Sequence, residues 1–88
     1  MEIIYSDDAK KDLAYWDKYG TLSDKNRIKA LLQSIKETPF YGIGKPEALK
    51  YELSGYWSRR IDKENRIIYR VKLNCIEIVS FKGHYESK

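Results

Sequence analysis

Two strand-like runs separated by a short polar turn constrain this chain more than any other feature. Tyr56-Trp57-Ser58-Arg59-Arg60-Ile61 is followed by a turn at Asp62 to Asn65 and then by Arg66-Ile67-Ile68-Tyr69-Arg70-Val71. Aromatic and β-branched residues favour extended backbone, and a turn of this length favours a hairpin. Pairing register decides which side chains share a face. If Arg60 pairs with Arg66, then Trp57, Arg59, Ile61, Ile67, Tyr69 and Val71 share one face, and Tyr56, Ser58, Arg60, Arg66, Ile68 and Arg70 share the other. A slip by one residue mixes arginines into both faces. Burying an unpaired guanidinium costs several kcal/mol, so the first register is expected. It also sets two like charges side by side, which is mildly destabilising unless an anion lies there.

The chain has 88 residues, enough for one domain (1–88) near the lower limit of what a single core stabilises without disulfides or metals. Added stability from a partner or a homodimer fits that size. The net charge of +4 is uneven: residues 1–43 hold seven basic and seven acidic side chains, whereas residues 44–85 hold nine basic and five acidic. A basic surface confined to the second half favours an acidic partner, either nucleic acid or an acidic protein segment. Cys75 is the only cysteine, so no disulfide framework or thiolate metal site can be drawn, and it is expected in core packing. No apolar run approaches the roughly 20 residues that span a bilayer, and no signal-peptide pattern opens the chain. A cytoplasmic protein with no membrane association is the expectation.

Met1 to Tyr5 reads as a short buried strand ending at Ser6, which can cap a helix whose first turn holds Asp7 and Asp8. Ala9, Leu13 and Trp16 make one apolar stripe, and Gly20 suits a helix stop. Thr21-Leu22-Ser23-Asp24 fits a capping box, and Ile28, Leu31, Leu32 and Ile35 follow at helical spacing until Thr38-Pro39 forbids continuation. The two helices should form a hairpin on a sheet. Pro39 to Lys50 reads as a loop, and further extended runs are expected near Leu49 to Leu53, at Arg66 to Lys72 and at Cys75 to Lys82.

Taken singly, the arginines fit the solvated face of a sheet, Glu47 an ordinary loop carboxylate, and His84 an incidental histidine. Their combination is more informative. A carboxylate, a histidine, several fixed cations and aromatic faces occur with no metal-ligand cluster, phosphate loop, or serine or cysteine triad. That set suits metal-independent RNA cleavage: a base for the 2′-hydroxyl, cations for the phosphorane, an acid for the leaving oxygen, and rings that stack unpaired bases.

Gly44-Lys45-Pro46-Glu47-Ala48-Leu49-Lys50, Leu53-Ser54-Gly55-Tyr56-Trp57-Ser58-Arg59-Arg60-Ile61, Glu64-Asn65-Arg66-Ile67-Ile68-Tyr69 and His84-Tyr85 closely resemble the Txe/YoeB family of toxins from bacterial toxin–antitoxin modules, within the RelE superfamily. The resemblance covers essentially the whole chain. It implies an α+β domain, two N-terminal helices on a curved, mainly antiparallel sheet of four to five strands, acting as an endoribonuclease on mRNA in the ribosomal A site, with no cofactor. It further implies Glu47 as general base, Arg66 as phosphorane stabiliser and His84 as general acid, with Lys50 and Arg60 on phosphates and Tyr85 against the substrate. The implied partners are the ribosome with its mRNA and an antitoxin of the YefM/Phd type with an acidic C-terminal segment. Related toxins commonly end at the His-Tyr pair, whereas Glu86-Ser87-Lys88 follows it here. A non-catalytic binding module, or a toxin of the same fold with another target, as ParE-like relatives are thought to be with gyrase, is the competing reading.

Overall fold

The computed structural model describes residues 1–83, so His84 and Tyr85 lie outside the described residues. In chain order the elements are β1 (Glu2–Tyr5), α1 (Asp7–Tyr19), α2 (Leu22–Glu37), β2 (Glu47–Ala48), a 3-10 turn (Tyr51–Leu53), β3 (Trp57–Arg60), β4 (Arg66–Val71) and β5 (Cys75–Ser80). The strands form one five-stranded sheet in the order β1-β5-β4-β3-β2. β1 runs parallel to β5 and every other neighbouring pair is antiparallel. The fold is therefore α+β with a mixed, mainly antiparallel sheet.

Local chemistry fixes the helix ends as the sequence predicts. Ser6 accepts from the Ala9 amide and donates to the Val79 carbonyl, tying the start of α1 to the end of β5. Thr21 and Asp24 form a reciprocal capping box that satisfies two amides with no partner inside the helix. Gly20 works differently from expected. Its φ of −73° is open to any residue, but a Cβ there would stand 2.5 Å from the Trp16 carbonyl oxygen. Space, not a left-handed turn, demands glycine.

One face of the sheet is sealed by the helices. Ala9, Trp16, Ile28, Leu31 and Ile35 pack on Ile61, Ile67, Tyr69, Ile76, Ile78 and Phe81. The Trp16 indole donates to the Phe81 carbonyl at 2.9 Å, so its one polar atom is satisfied inside the core. Burial of each leucine, isoleucine or phenylalanine in this cluster contributes roughly 1.5–3 kcal/mol.

Four expectations are corrected. β1 is an edge strand and not a buried one, with Ile4 45% exposed, because only β5 flanks it. The extended run near Leu49 to Leu53 does not exist: Tyr51 adopts a φ of +57°, outside the extended region, and opens a 3-10 turn. The Pro39–Lys50 loop instead contains the two-residue β2. Cys75 is half-buried, not core, because Ile76 and Ile78 take the inward positions of β5.

Candidate active site

β3 and β4 pair in the expected register, Trp57 with Tyr69, Ser58 with Ile68, Arg59 with Ile67 and Arg60 with Arg66. Directly opposed residues share a face, so Arg60 and Arg66 project together from the side away from the helices. β2 extends that face, because Glu47 pairs with Ser58, and β5 closes it, because Ser80 pairs with Ile68. The result is a row, Glu47-Ser58-Ile68-Ser80, across four strands, with the Arg60-Arg66 row beside it toward the hairpin turn. From β2 to β4 is about 10 Å, two interstrand spacings, a gap that long side chains close over one phosphodiester.

The backbone around these residues is held from several directions. The Arg60 amide donates to Gly44 at 2.7 Å, and its carbonyl accepts from Arg27 of α2 at 3.2 Å. Gly44 has a φ of +84°, and a Cβ there would meet Leu31 at 2.5 Å, so this crossing admits only glycine. In the hairpin turn, one Asp62 carboxylate oxygen accepts from the amides of Glu64 and Asn65, the local geometry for which aspartate is favoured in turns. Asn65 and Arg66 together pin Gly83: the Arg66 amide donates to the Gly83 carbonyl at 3.1 Å, and the Gly83 amide donates to Asn65 Oδ1 at 3.0 Å. The described chain thus ends beside the start of β4, one residue before His84.

Glu47 and Arg60 are exposed and Arg66 is 8% exposed. Lys50 is exposed, two residues beyond β2 and immediately before the 3-10 turn. The sequence-predicted Glu47, Arg60 and Arg66 thus come together on one face, Lys50 follows at its edge, and His84 and Tyr85 lie outside the described residues. Among the described residues no group of three or more His, Cys, Asp or Glu side chains could hold a metal.

Arg70 shares this face but is engaged otherwise. It donates to Glu77 at 2.8 Å and stacks over the Tyr56 ring at 4.9 Å from the centroid, with Lys72 3.5 Å from the same carboxylate. The hydrogen bond from Arg70, with Lys72 assisting, holds the Glu77 carboxyl below its ordinary value. A depressed folded-state value gives stability that is present above the ordinary carboxylate range and lost as pH falls through it. Stability should therefore decline as pH drops through and below about 4.5, and Glu77→Gln should flatten that part of a denaturation-midpoint curve. An unchanged acid limb would show that the pair is not coupled to folding.

Arg59, the immediate neighbour of Arg60, points the other way and is fully buried. Its Nε donates to the Tyr69 hydroxyl at 3.1 Å, Nη1 to Ser34 Oγ at 2.7 Å and the Ile43 carbonyl at 2.8 Å, and Nη2 to the carbonyls of Thr38 at 2.6 Å and Tyr41 at 3.1 Å. A guanidinium has five donors, and all five are used. No carboxylate is among the partners. The charge is balanced by carbonyl dipoles and by the C-terminus of α2, where negative partial charge accumulates. Tyr69 continues the network by donating to the Pro39 carbonyl at 2.6 Å, and burial raises its hydroxyl's pKa while Arg59 partly offsets the rise. The network fastens residues 38–43 to the sheet, and that segment leads directly into Glu47.

A carboxylate and two paired cations lie on one face of a small α+β sheet whose other face is sealed by helices. A family model described as "YoeB-like toxin of bacterial type II toxin-antitoxin system" matches residues 5–85. Toxin YoeB of Escherichia coli strain K12 is 41% identical over 88 residues, spanning 97% of this chain and 100% of that one. Among solved structures, the YoeB/ParE toxin from Agrobacterium tumefaciens aligns with a TM-score of 0.90 at 36% identity, covering 97% of this chain and 100% of that one. YoeB of Staphylococcus aureus, at 42% identity and covering 97% and 98% of the two chains, aligns with TM-scores of 0.86 as a dimer and 0.84 in its heterotetrameric complex with YefM. The chain belongs to the YoeB-like toxins of bacterial type II toxin–antitoxin systems.

Proposed function

We propose that this toxin is a ribosome-dependent endoribonuclease that cuts mRNA in the A site by metal-independent attack of a ribose 2′-hydroxyl. The observation that carries the reading is the pairing of Arg60 with Arg66 on the face that bears Glu47. Two opposed guanidinium groups repel unless an anion lies between them, and a scissile phosphate is such an anion. Glu47 takes the 2′-hydroxyl proton, and the 2′-oxygen attacks the adjacent phosphorus. Arg66, with Arg60 and Lys50, stabilises the doubly charged phosphorane. His84 protonates the departing 5′-oxygen as the P–O bond breaks, leaving a 2′,3′-cyclic phosphate and a 5′-hydroxyl. Gly83, bonded to Asn65 and Arg66, brings the chain to Arg66 one residue before His84, which supports that role. Tyr85 contacts the substrate base.

The antitoxin is of the YefM type, as in the S. aureus complex, with an acidic segment suited to the positive charge of residues 44–85. Translation of a reporter mRNA in a cell extract tests the activity. Addition of the toxin should produce new 5′-hydroxyl ends at A-site codons, and the same mRNA without ribosomes should stay intact. Inhibition without cut mRNA would instead favour a binding toxin of the same fold.

A further inference from the structure

Among the described residues, three buried side-chain polar atoms lack a hydrogen-bond partner: Ser58 Oγ, Ser80 Oγ and Arg70 Nε. All three belong to the face that carries Glu47, Arg60 and Arg66, whereas the opposite face satisfies even a buried guanidinium completely. A buried hydroxyl with no partner is disfavoured relative to alanine, so a serine retained there calls for a use. Ser58 is fully buried and is the direct cross-strand partner of Glu47. In such a pair the Cβ atoms stand about 4.5–5.5 Å apart, and a glutamate carboxylate can turn inward over that distance to accept from a serine hydroxyl.

We propose that Ser58 is a positioning residue for Glu47. Its hydroxyl donates to one carboxylate oxygen of Glu47 when substrate is bound, leaving the other oxygen directed at the 2′-hydroxyl. The structure shows the Ser58 hydroxyl buried without an acceptor and the Glu47 side chain exposed, with no hydrogen bond to its carboxylate among the described residues, and catalytic hydrogen bonds often tighten only in the substrate complex. β2 has two residues and cannot fix a rotamer by packing, since Glu47 is exposed; one hydrogen bond from rigid β3 supplies the missing constraint. The inference rests on the proposed role of Glu47 as base.

The test is a double-mutant cycle in single-turnover cleavage on programmed ribosomes. Ser58→Ala should cut about 10- to 100-fold more slowly, the range expected when a reacting group is misplaced by about an ångström. Its affinity for ribosomes should be unchanged, and its melting temperature should equal or exceed that of the wild type, because the lost hydroxyl had no partner. Ser58→Thr, which keeps the hydroxyl, should recover most of the rate. In a Glu47→Gln background, Ser58→Ala should cause little further loss, since the serine acts through the carboxylate. Wild-type cleavage by Ser58→Ala, or an equal additional loss in the Glu47→Gln background, overturns the inference and leaves the base assignment intact. Wild-type cleavage by Glu47→Gln overturns the base assignment itself.

Discussion

Replacing Arg59 by Met should unfold this protein far more readily, whereas replacing its neighbour Arg60 by Met should leave stability almost unchanged. The side chains differ in length and hydrophobicity in the same way at both positions, so the contrast isolates environment. At Arg59 the change removes five donors: the Ser34 hydroxyl and the Ile43 carbonyl lose the donor that satisfies them, and the Tyr69 hydroxyl and the carbonyls of Thr38 and Tyr41 each lose one of two partners. Leaving a buried acceptor without a donor costs roughly 1–3 kcal/mol, so losing the five hydrogen bonds should cost on the order of 3–5 kcal/mol, a large share of the roughly 5–15 kcal/mol that stabilises a typical domain. At about 4–8 °C per kcal/mol for a domain of this size, the melting temperature should fall on the order of 20 °C. Arg59→Lys should lie between the two, because an ammonium offers at most three donors to five acceptors. At exposed Arg60 the change should stay within about 0.5 kcal/mol. Denaturant titration of the three variants measures this, and equal midpoints for Arg59→Met and Arg60→Met would show that the network is dispensable.

That contrast marks what was legible in the sequence. Alternation and the cost of mixed faces led to the β3–β4 register and to Arg60 beside Arg66, both local properties of a hairpin. The same reasoning placed Arg59 on the helix-facing side but gave it no purpose. Its five partners come from residues 34–43 and 69, and no spacing rule links a strand arginine to carbonyls on a loop that is irregular until folded. In the sequence Glu47 reads as a loop residue because a two-residue strand has no periodicity to detect; β2 forms where β3 offers an edge. Tyr51 looked extended by residue type, and tertiary context set its φ positive. Nor could the parallel pairing of β1 with β5 be read, since it joins the two ends of the described chain. The helices were legible from caps and spacing, with Gly20 correctly placed for a reason that only the approach of Trp16 reveals.

Glu47→Gln, Arg66→Ala and His84→Gln should each abolish most mRNA cleavage without loosening the toxin from the ribosome. The glutamine at 47 preserves shape and hydrogen bonding but removes basicity, and the glutamine at 84 removes the acid; general acid–base catalysis contributes about 100- to 10,000-fold per step. Arg66 differs in timing. In the proposed mechanism its cation matters most when charge on the phosphorane peaks, so its loss should fall on the chemical step and not on association. Lys72→Ala is the control: Lys72 follows β4, with its ammonium 3.5 Å from Glu77, in the row beyond Arg70 and away from Arg60 and Arg66. The three variants should bind ribosomes with near-native affinity and cut at least about 100-fold more slowly, while Lys72→Ala should match the wild type in both. If Glu47→Gln and His84→Gln both cut at the wild-type rate in single turnover, proton transfer by side chains is not what limits the reaction. Catalysis would then rest on Arg60 and Arg66 drawing the phosphate into an in-line geometry, and Arg66→Ala alone would carry the loss.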